Sequence, residues 1–295
     1  MVFESLINFK TAKNKPFLLI ILGIVYSSLS LVLANWIFPS NVSLTTLFFT
    51  VLACVPLFIK TIEQEEYIDI KSPSEGFILK EHSKVILYLC CLFIGFLISF
   101  ACWFVFLPSD EAGNNFRVQL DTFCKINQGG NYEACMNQYG MGSPTGYAVF
   151  EFFGGYVTGD ALSNAAHFWI IVQNNLKVLF VCLVFSFLYG SGALYILTWN
   201  AMVLSVAIGY HFKMLLANTA PLLAVIVSST SFLKHGLLEM AGYFVAGLAG
   251  GILSVAVIRH HYSTPKFRKI LIDSLWLFGA SITIIIIAGF LEVFL

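Results

Sequence analysis

Long apolar segments separated by short polar ones recur along the whole chain. A helix needs about 20 predominantly apolar residues to cross the hydrocarbon core of a bilayer. The clearest segments of this kind are Phe17–Phe38, Val85–Leu107, Leu237–Ile258 and Ile270–Leu291. A shorter segment, Leu44–Ile59, follows the first. The region 168–216 holds two more, which we expect to divide near Gly190-Ser191-Gly192, because glycine allows a helix to break. The pattern predicts an all-α, polytopic membrane bundle of about seven transmembrane helices.

Composition supports lipid as the main solvent of this chain. Hydrophobic residues make up 58% and charged residues 11%, with a mean hydropathy of +0.84, whereas soluble domains are about 25% charged. The formal net charge is zero, which gives no signature of a nucleic-acid partner. The sequence contains no Rossmann glycine fingerprint, P-loop, HExxH or GxSxG motif. We therefore predict no cofactor, no metal and no catalytic residues.

Two regions interrupt the pattern of spans. Leu222–Val227 is short and follows Pro221, so we expect a connecting or partly inserted segment there. The linker between the second and third spans mixes both signs of charge, which is typical of a solvated segment. We divide the chain into a two-helix hairpin with this charged linker, 1–83, and a membrane domain, 84–295, with a long loop at 108–160.

The distribution of Lys and Arg predicts the orientation. Cytoplasmic loops carry an excess of these residues. With the N-terminus inside and seven spans, eleven of the sixteen Lys and Arg residues lie on the cytoplasmic side: Lys10, Lys13, Lys15, Lys60, Lys71, Lys80, Lys84, Arg259, Lys266, Arg268 and Lys269. We expect a multi-pass protein of the cell membrane with a cytoplasmic N-terminus, an extracellular C-terminus and the 108–160 loop outside.

Two cysteines stand apart from the other five. Cys124 and Cys135 lie in the polar 108–160 loop, whereas the remaining cysteines fall within apolar segments. There they are expected to be small buried side chains. Because the loop is predicted to face an oxidising exterior, we expect a Cys124–Cys135 disulfide.

Polar residues within the predicted spans are the candidates for a binding site or polar cluster. Such residues are costly in lipid and usually face protein or a water-filled cavity. They are Asn174, Asn175, Lys177, Asn200, His235 and Glu239. His235 and Glu239 share one helix face at i,i+4 spacing. We predict that both face the interior and contact the fourth span near Asn174 and Asn175. The His235 and Glu239 pair has three alternative roles. It could be a structural pair, a proton-handling or binding site, or a metal site together with His167 and His211.

The last part of the same predicted helix is rich in small residues. Gly247 and Gly251 form a GxxxG motif, and a neighbouring stripe contains Gly242, Ala246 and Gly250. Small residues allow two helix backbones to approach closely. The pattern predicts tight helix packing, either within the chain or in a homo-oligomer.

Two stretches together resemble the stage II sporulation protein M (SpoIIM) family. They are NNLKVLFVCLVFSFLYGSGALYILTWNAMVLSVAIG and, after it, KHGLLEMAGYFVAGLAGG. The matching features are the Asn-Asn pair, the Gly-rich break, an Asn in the next span and His-Gly-x-x-Glu. Family members commonly have Asn-Gly where this chain has Asn200-Ala201. The resemblance covers 84–295, and the preceding residues resemble the arrangement of longer archaeal members.

The resemblance implies a multi-pass membrane protein. In spore formers it implies a scaffold that gathers peptidoglycan-degrading enzymes. Our leading hypothesis is a membrane scaffold that organises membrane or extracellular protein partners. The alternative is a small-molecule or ion transporter that uses the intramembrane Asn, His and Glu residues. An intramembrane enzyme is a third hypothesis, which we rank last because a further catalytic group is missing.

Overall fold

The computed structural model describes residues 15–71, 75–127, 132–140, 164–260 and 264–294. Within these ranges the chain forms ten α-helices and no β-strand. The helices are α1 (Leu18–Ile37), α2 (Val42–Lys71), α3 (Glu75–Phe106), α4 (Ser109–Asn115), α5 (Arg117–Asn127), α6 (Tyr132–Asn137), α7 (Asn164–Tyr189), α8 (Gly192–Leu216), α9 (Pro221–Ile258) and α10 (Pro265–Phe294). Seven of them, all except α4–α6, are long and apolar enough to cross a membrane. The predicted all-α membrane bundle is confirmed.

Helices α1 and α3 cross at two glycines. A methyl group on Gly23 would lie 2.8 Å from the carbonyl oxygen of Leu92 and 3.1 Å from the Cα of Gly95. Further along both helices, the hydroxyls of Ser28 and Ser99 are 2.9 Å apart. The contacts advance in the same direction along the two helices, so α1 and α3 run parallel.

The three short helices form a cap over one side of the bundle. Cys124 of α5 and Cys135 of α6 form the expected disulfide. The side chain of Gln119 accepts a hydrogen bond from the Ser43 hydroxyl at the start of α2 (2.6 Å) and extends its amide towards Met202 of α8 (3.7 Å). Part of the predicted 108–160 loop is therefore packed helix, while residues 141–163 lie outside the described ranges. We call this the cap side, and the opposite side, where α2 ends and α3 begins, the linker side.

A cluster of aromatic rings packs the cap against α3 and α8. Phe104 of α3 packs against Phe116 and Tyr139, with ring centroids 5.6 Å and 5.2 Å apart. Phe123 packs against Tyr210 of α8 at 5.1 Å. Phe104, Phe116, Phe123 and Tyr139 are all almost completely buried. Burial raises the pKa of the Tyr139 hydroxyl, which therefore stays neutral within this cluster.

The described residues of the charged linker are helical and partly buried, which corrects the expectation of a solvated segment. Helix α2 continues through the linker to Lys71. Glu65 and Glu66 are fully buried there. The Glu65 carboxylate lies 2.9 Å from Nδ1 of His82 on α3, and Glu66 lies 2.8 Å from Arg259 at the end of α9. Charges can be buried when they are paired, and these pairs join the linker-side ends of three helices.

Helix α9 is continuous over 38 residues. Leu222–Val227, expected to be a connecting or partly inserted segment, lies in the first two turns of α9, ahead of the part long and apolar enough to span a membrane, Gly236–Ile258. Pro221 occupies the first helical turn, where its missing N–H breaks no hydrogen bond. At 1.5 Å per residue α9 is about 57 Å long, so it extends well beyond the hydrocarbon core on the cap side.

The break between α7 and α8 falls at Gly190, as predicted. Gly190 has φ +66°, a conformation that glycine adopts without steric cost. Helix α7 ends at Tyr189 and α8 begins at Gly192. The turn therefore reverses the chain within two residues, on the linker side.

Replacement of glycine by alanine should separate close-packed from open positions in the bundle. A methyl group on Gly250 would overlap the carbonyl oxygen of Leu183 on α7. At Gly279 of α10 it would meet no described atom within 4 Å. We expect Gly250→Ala to destabilise the protein by about 1–3 kcal/mol through overpacking. Gly279→Ala should be neutral or stabilising by up to about 1 kcal/mol, because alanine is the better helix former. Thermal unfolding in detergent measures both, and equal melting temperatures would contradict this packing.

Candidate functional site

A chain of two hydrogen bonds joins α7 and α9 near the cap side of the membrane. Glu239 lies in the first turn of the apolar segment Gly236–Ile258. The Asn175 amide donates a hydrogen bond to Oε1 of Glu239 (2.5 Å). The Tyr243 hydroxyl in turn donates to Oδ1 of Asn175 (2.9 Å). Asn175 and Tyr243 are buried, and Glu239 is partly buried. We call these three residues the polar triad.

The sequence of α9 explains why these groups meet. Glu239 and Tyr243 are spaced i,i+4, and Gly247 continues the same face one turn further. A methyl group on Gly247 would lie 3.4 Å from Sγ of Cys182 on α7. That Sγ also lies 3.2 Å from the backbone oxygen of Tyr243. The two backbones are therefore close along this whole face, which brings the Asn175 side chain within hydrogen-bonding distance of α9.

Helix α10 adds a second carboxylate. Glu292 lies near enough to Glu239 for their charges to interact. In the same region, Gly289 of α10 packs against Val172 of α7. Tyr243 and Glu292 were not among the predicted polar residues. Two sequence signals point to them: Tyr243 is one turn from Glu239, and Glu292 ends a helix antiparallel to α9.

Three of the other predicted polar residues, Asn174, Lys177 and Asn200, make no described contact with the triad. Asn174 is partly buried and makes no described hydrogen bond to Glu239, and Lys177 is exposed. The Asn200 amide donates to the backbone oxygen of Ile196 in its own helix (2.8 Å). The side chain of His235 lies outside the described part of the structure.

The small residues of α9 pack inside the chain. Gly242 faces Ile285 of α10, Gly247 and Gly250 face α7 and the start of α8, and Gly251 faces Ile62 of α2. Ala246 is completely buried. This surface is filled by helices of the same chain, so it is not open to a second copy.

The triad is suited to holding a proton or joining helices rather than to binding a transition metal. An amide can donate to a carboxylate and accept from a hydroxyl at the same time, which is the arrangement of Asn175. Among the described residues, no group of three His, Cys, Asp or Glu side chains could hold a metal ion. The side chains of His167 and His235 lie outside this search.

The fold and the intramembrane triad define a multi-pass α-helical membrane protein. Residues 85–295 match the family model of Stage II sporulation protein M (SpoIIM). The match covers well over half of the 295 residues, so the chain belongs to this family. No curated protein and no solved structure matches the chain.

Substitutions of Glu239 should show whether the triad stabilises the bundle. Glu239→Gln keeps an acceptor for the Asn175 amide, so we expect little change in the free energy of unfolding. Glu239→Leu leaves that buried amide unpaired and should cost about 1–3 kcal/mol. Tyr243→Phe removes one hydrogen bond and should cost about 1 kcal/mol. Unfolding in detergent would measure these values. The control is Asn174→Leu, which changes the residue beside Asn175 on α7. If Glu239→Leu is no less stable than Glu239→Gln, the triad does not hold the helices together.

Proposed function

We propose that this protein is a membrane scaffold that holds partner proteins against its cap. The observation that carries the proposal is the attachment of the cap to three membrane helices. Gln119 bonds to α2, and the aromatic cluster joins the cap to α3 and α8. Preorganised surfaces bind with a smaller entropic cost than mobile ones. A cap fixed in this way suits binding of a protein.

The cap presents polar residues away from the bundle. In α6, Cys135 and Met136 are buried, while Glu133 and Asn137 are exposed. The Tyr132 hydroxyl of α6 donates to Asp121 of α5 (2.6 Å), which also pairs with Lys125 (3.0 Å). Burial, followed by this hydrogen bond to Asp121, raises the pKa of Tyr132 and keeps it a donor. These contacts hold α6 in place, so its exposed face is a preorganised surface.

We further propose that the cap side is extracellular, on the Lys and Arg distribution of the sequence. Exposed Lys80 and Arg268 belong to the linker side, in agreement with the excess of basic residues expected in the cytoplasm. Partners at the cap would then be extracellular proteins or the outer parts of membrane proteins.

An impermeant thiol reagent on whole cells should label the chain only after reduction of Cys124–Cys135, and labelling that does not change on reduction would contradict this orientation.

The scaffold can be tested by placing a photo-crosslinking amino acid at Glu133 and, as a control, at Trp276. Both side chains are exposed, but Trp276 lies on the lipid-facing side of α10. In native membranes we expect a discrete protein adduct from position 133 that is missing from position 276. The combined Cys124→Ser and Cys135→Ser change should weaken this adduct, and Glu239→Gln should leave it intact.

Identical adducts from the two positions would mean that the cap has no specific partner. Loss of the adduct in Glu239→Gln, with the protein still folded, would indicate that the function depends on the polar triad.

A second candidate function, proton or cation transport, is favoured by the position of Glu239, a carboxylate hydrogen-bonded to Asn175 within a membrane-spanning segment, which interacts electrostatically with Glu292. Two neighbouring carboxylates in a membrane are stabilised when they share a proton or bind a cation. Such pairs mark many proton and ion pathways.

Transport should depend on both carboxylates if this second function is correct. Purified full-length protein in vesicles containing a pH-sensitive dye should then dissipate an imposed pH gradient. Glu239→Gln and Glu292→Gln should each lower the rate at least tenfold, while Glu133→Gln on the cap should not. A rate equal to that of protein-free vesicles would exclude proton transport under these conditions and leave the scaffold as the sole proposal.

A further inference from the structure

The linker-side half of the bundle contains an apolar groove between α7, α9 and α10. The groove has a cavity volume of about 200 Å³. This is below the range of about 300–1,000 Å³ typical of sites that enclose a whole small molecule, so the groove admits part of a hydrocarbon chain. Its walls include Leu183, Phe187, Leu253, Leu271 and Phe278. All of these residues belong to membrane-spanning segments, so the groove opens towards the acyl chains of the surrounding lipid.

One polar side chain lies among these apolar ones. Ser274 of α10 lines the groove and is only 5% exposed. Its hydroxyl has no hydrogen-bond partner among the described residues. A buried hydroxyl without a partner costs free energy. The hydroxyl oxygen is itself shielded, so the surface that lines the groove is apolar.

A positive charge lies on the same face of α10, one turn nearer the linker side. Arg268, Leu271, Leu275 and Phe278 follow one another at spacings of three and four residues, so they share one helix face. Arg268 is exposed. It precedes Ser274 by six residues, which is about 9 Å along the helix axis. From the membrane surface inwards, α10 therefore presents a guanidinium group and then an apolar groove that begins at Leu271.

We propose that this groove binds one anionic phospholipid. The order of groups along α10 matches the order of groups in such a lipid. Arg268 meets the headgroup phosphate, and part of one hydrocarbon chain packs in the groove against Leu271, Leu275 and Phe278. Arginine pairs well with phosphate, and basic pockets between transmembrane helices are known to hold anionic headgroups. A second copy of the chain or a transmembrane helix of another protein would not need the charge at this position.

Native mass spectrometry of the full chain in mild detergent can test this site. Dioleoyl phosphatidylglycerol and dioleoyl phosphatidylcholine, added in equal amounts, compare an anionic with a zwitterionic headgroup on the same chains. We expect one phosphatidylglycerol to be retained in preference to phosphatidylcholine. Arg268→Gln should lower that preference about fivefold, the effect of one basic residue near anionic lipid. Lys80→Gln, which removes an exposed linker-side charge on α3, should leave the preference unchanged.

A second variant tests the groove itself. Ser274→Phe fills it with an aromatic ring and should abolish retention of both lipids, and its circular dichroism should match that of the unsubstituted protein. If this variant fails to fold, Arg268→Gln still decides the outcome. Equal retention of the two lipids by the unsubstituted protein, or unchanged retention in Arg268→Gln, would overturn the proposal. So would displacement of the lipid by excess inorganic phosphate, or dimers that Ser274→Phe dissociates, since these outcomes indicate a free anion or a second copy.

Discussion

Helix α9 lies so close to α7 and α10 that only small side chains fit on its contacting faces. At Gly242, Gly247 and Gly250 a methyl group would already press against a neighbouring helix. Lipid offers no hydrophobic driving force between helices, so close packing and interhelical hydrogen bonds must supply the association. The same approach brings the polar triad together, because Asn175 can reach Glu239 only while the two backbones remain close. The triad and the glycine face are thus two parts of one interface.

Charged groups are handled differently at the two ends of the bundle. On the linker side, buried Glu65 and Glu66 lie against His82 and Arg259 from other helices. Such pairs are weak evidence for stability, because desolvation offsets much of their attraction. They do fix which helix ends meet, since an unpaired charge there would be costly. On the cap side, neutral aromatic rings and the Ser43–Gln119 hydrogen bond join the helices instead.

The fold was largely predictable from the chain, whereas the site was only partly so. Lipid requires long apolar helices, and this requirement leaves long apolar segments in the sequence, which located all seven membrane helices. The burial of Glu66 was missed because a mixed-charge segment looks solvated until its partners, such as Arg259, are known. Asn175 was separated from Asn174 only by the rotation of α7, which the spacing of two adjacent asparagines does not determine. Glu292 was missed because it lies 53 residues from Glu239 along the chain, and only the packing of α10 brings the two together.

The residues before the family-matched region take part in the same core. Helix α1 packs on α3 through Gly23, and α2 contributes Ser43 to the cap contact and Glu66 to the pair with Arg259. Gly251, within the glycine-rich part of α9, faces Ile62 of α2. The buried apolar residues of α1 and α2 belong to one continuous cluster with those of α3, α8 and α9. The two-helix hairpin therefore covers surfaces that the matched region would otherwise expose to lipid, including the helix ends on which the cap and the Arg259 pair depend.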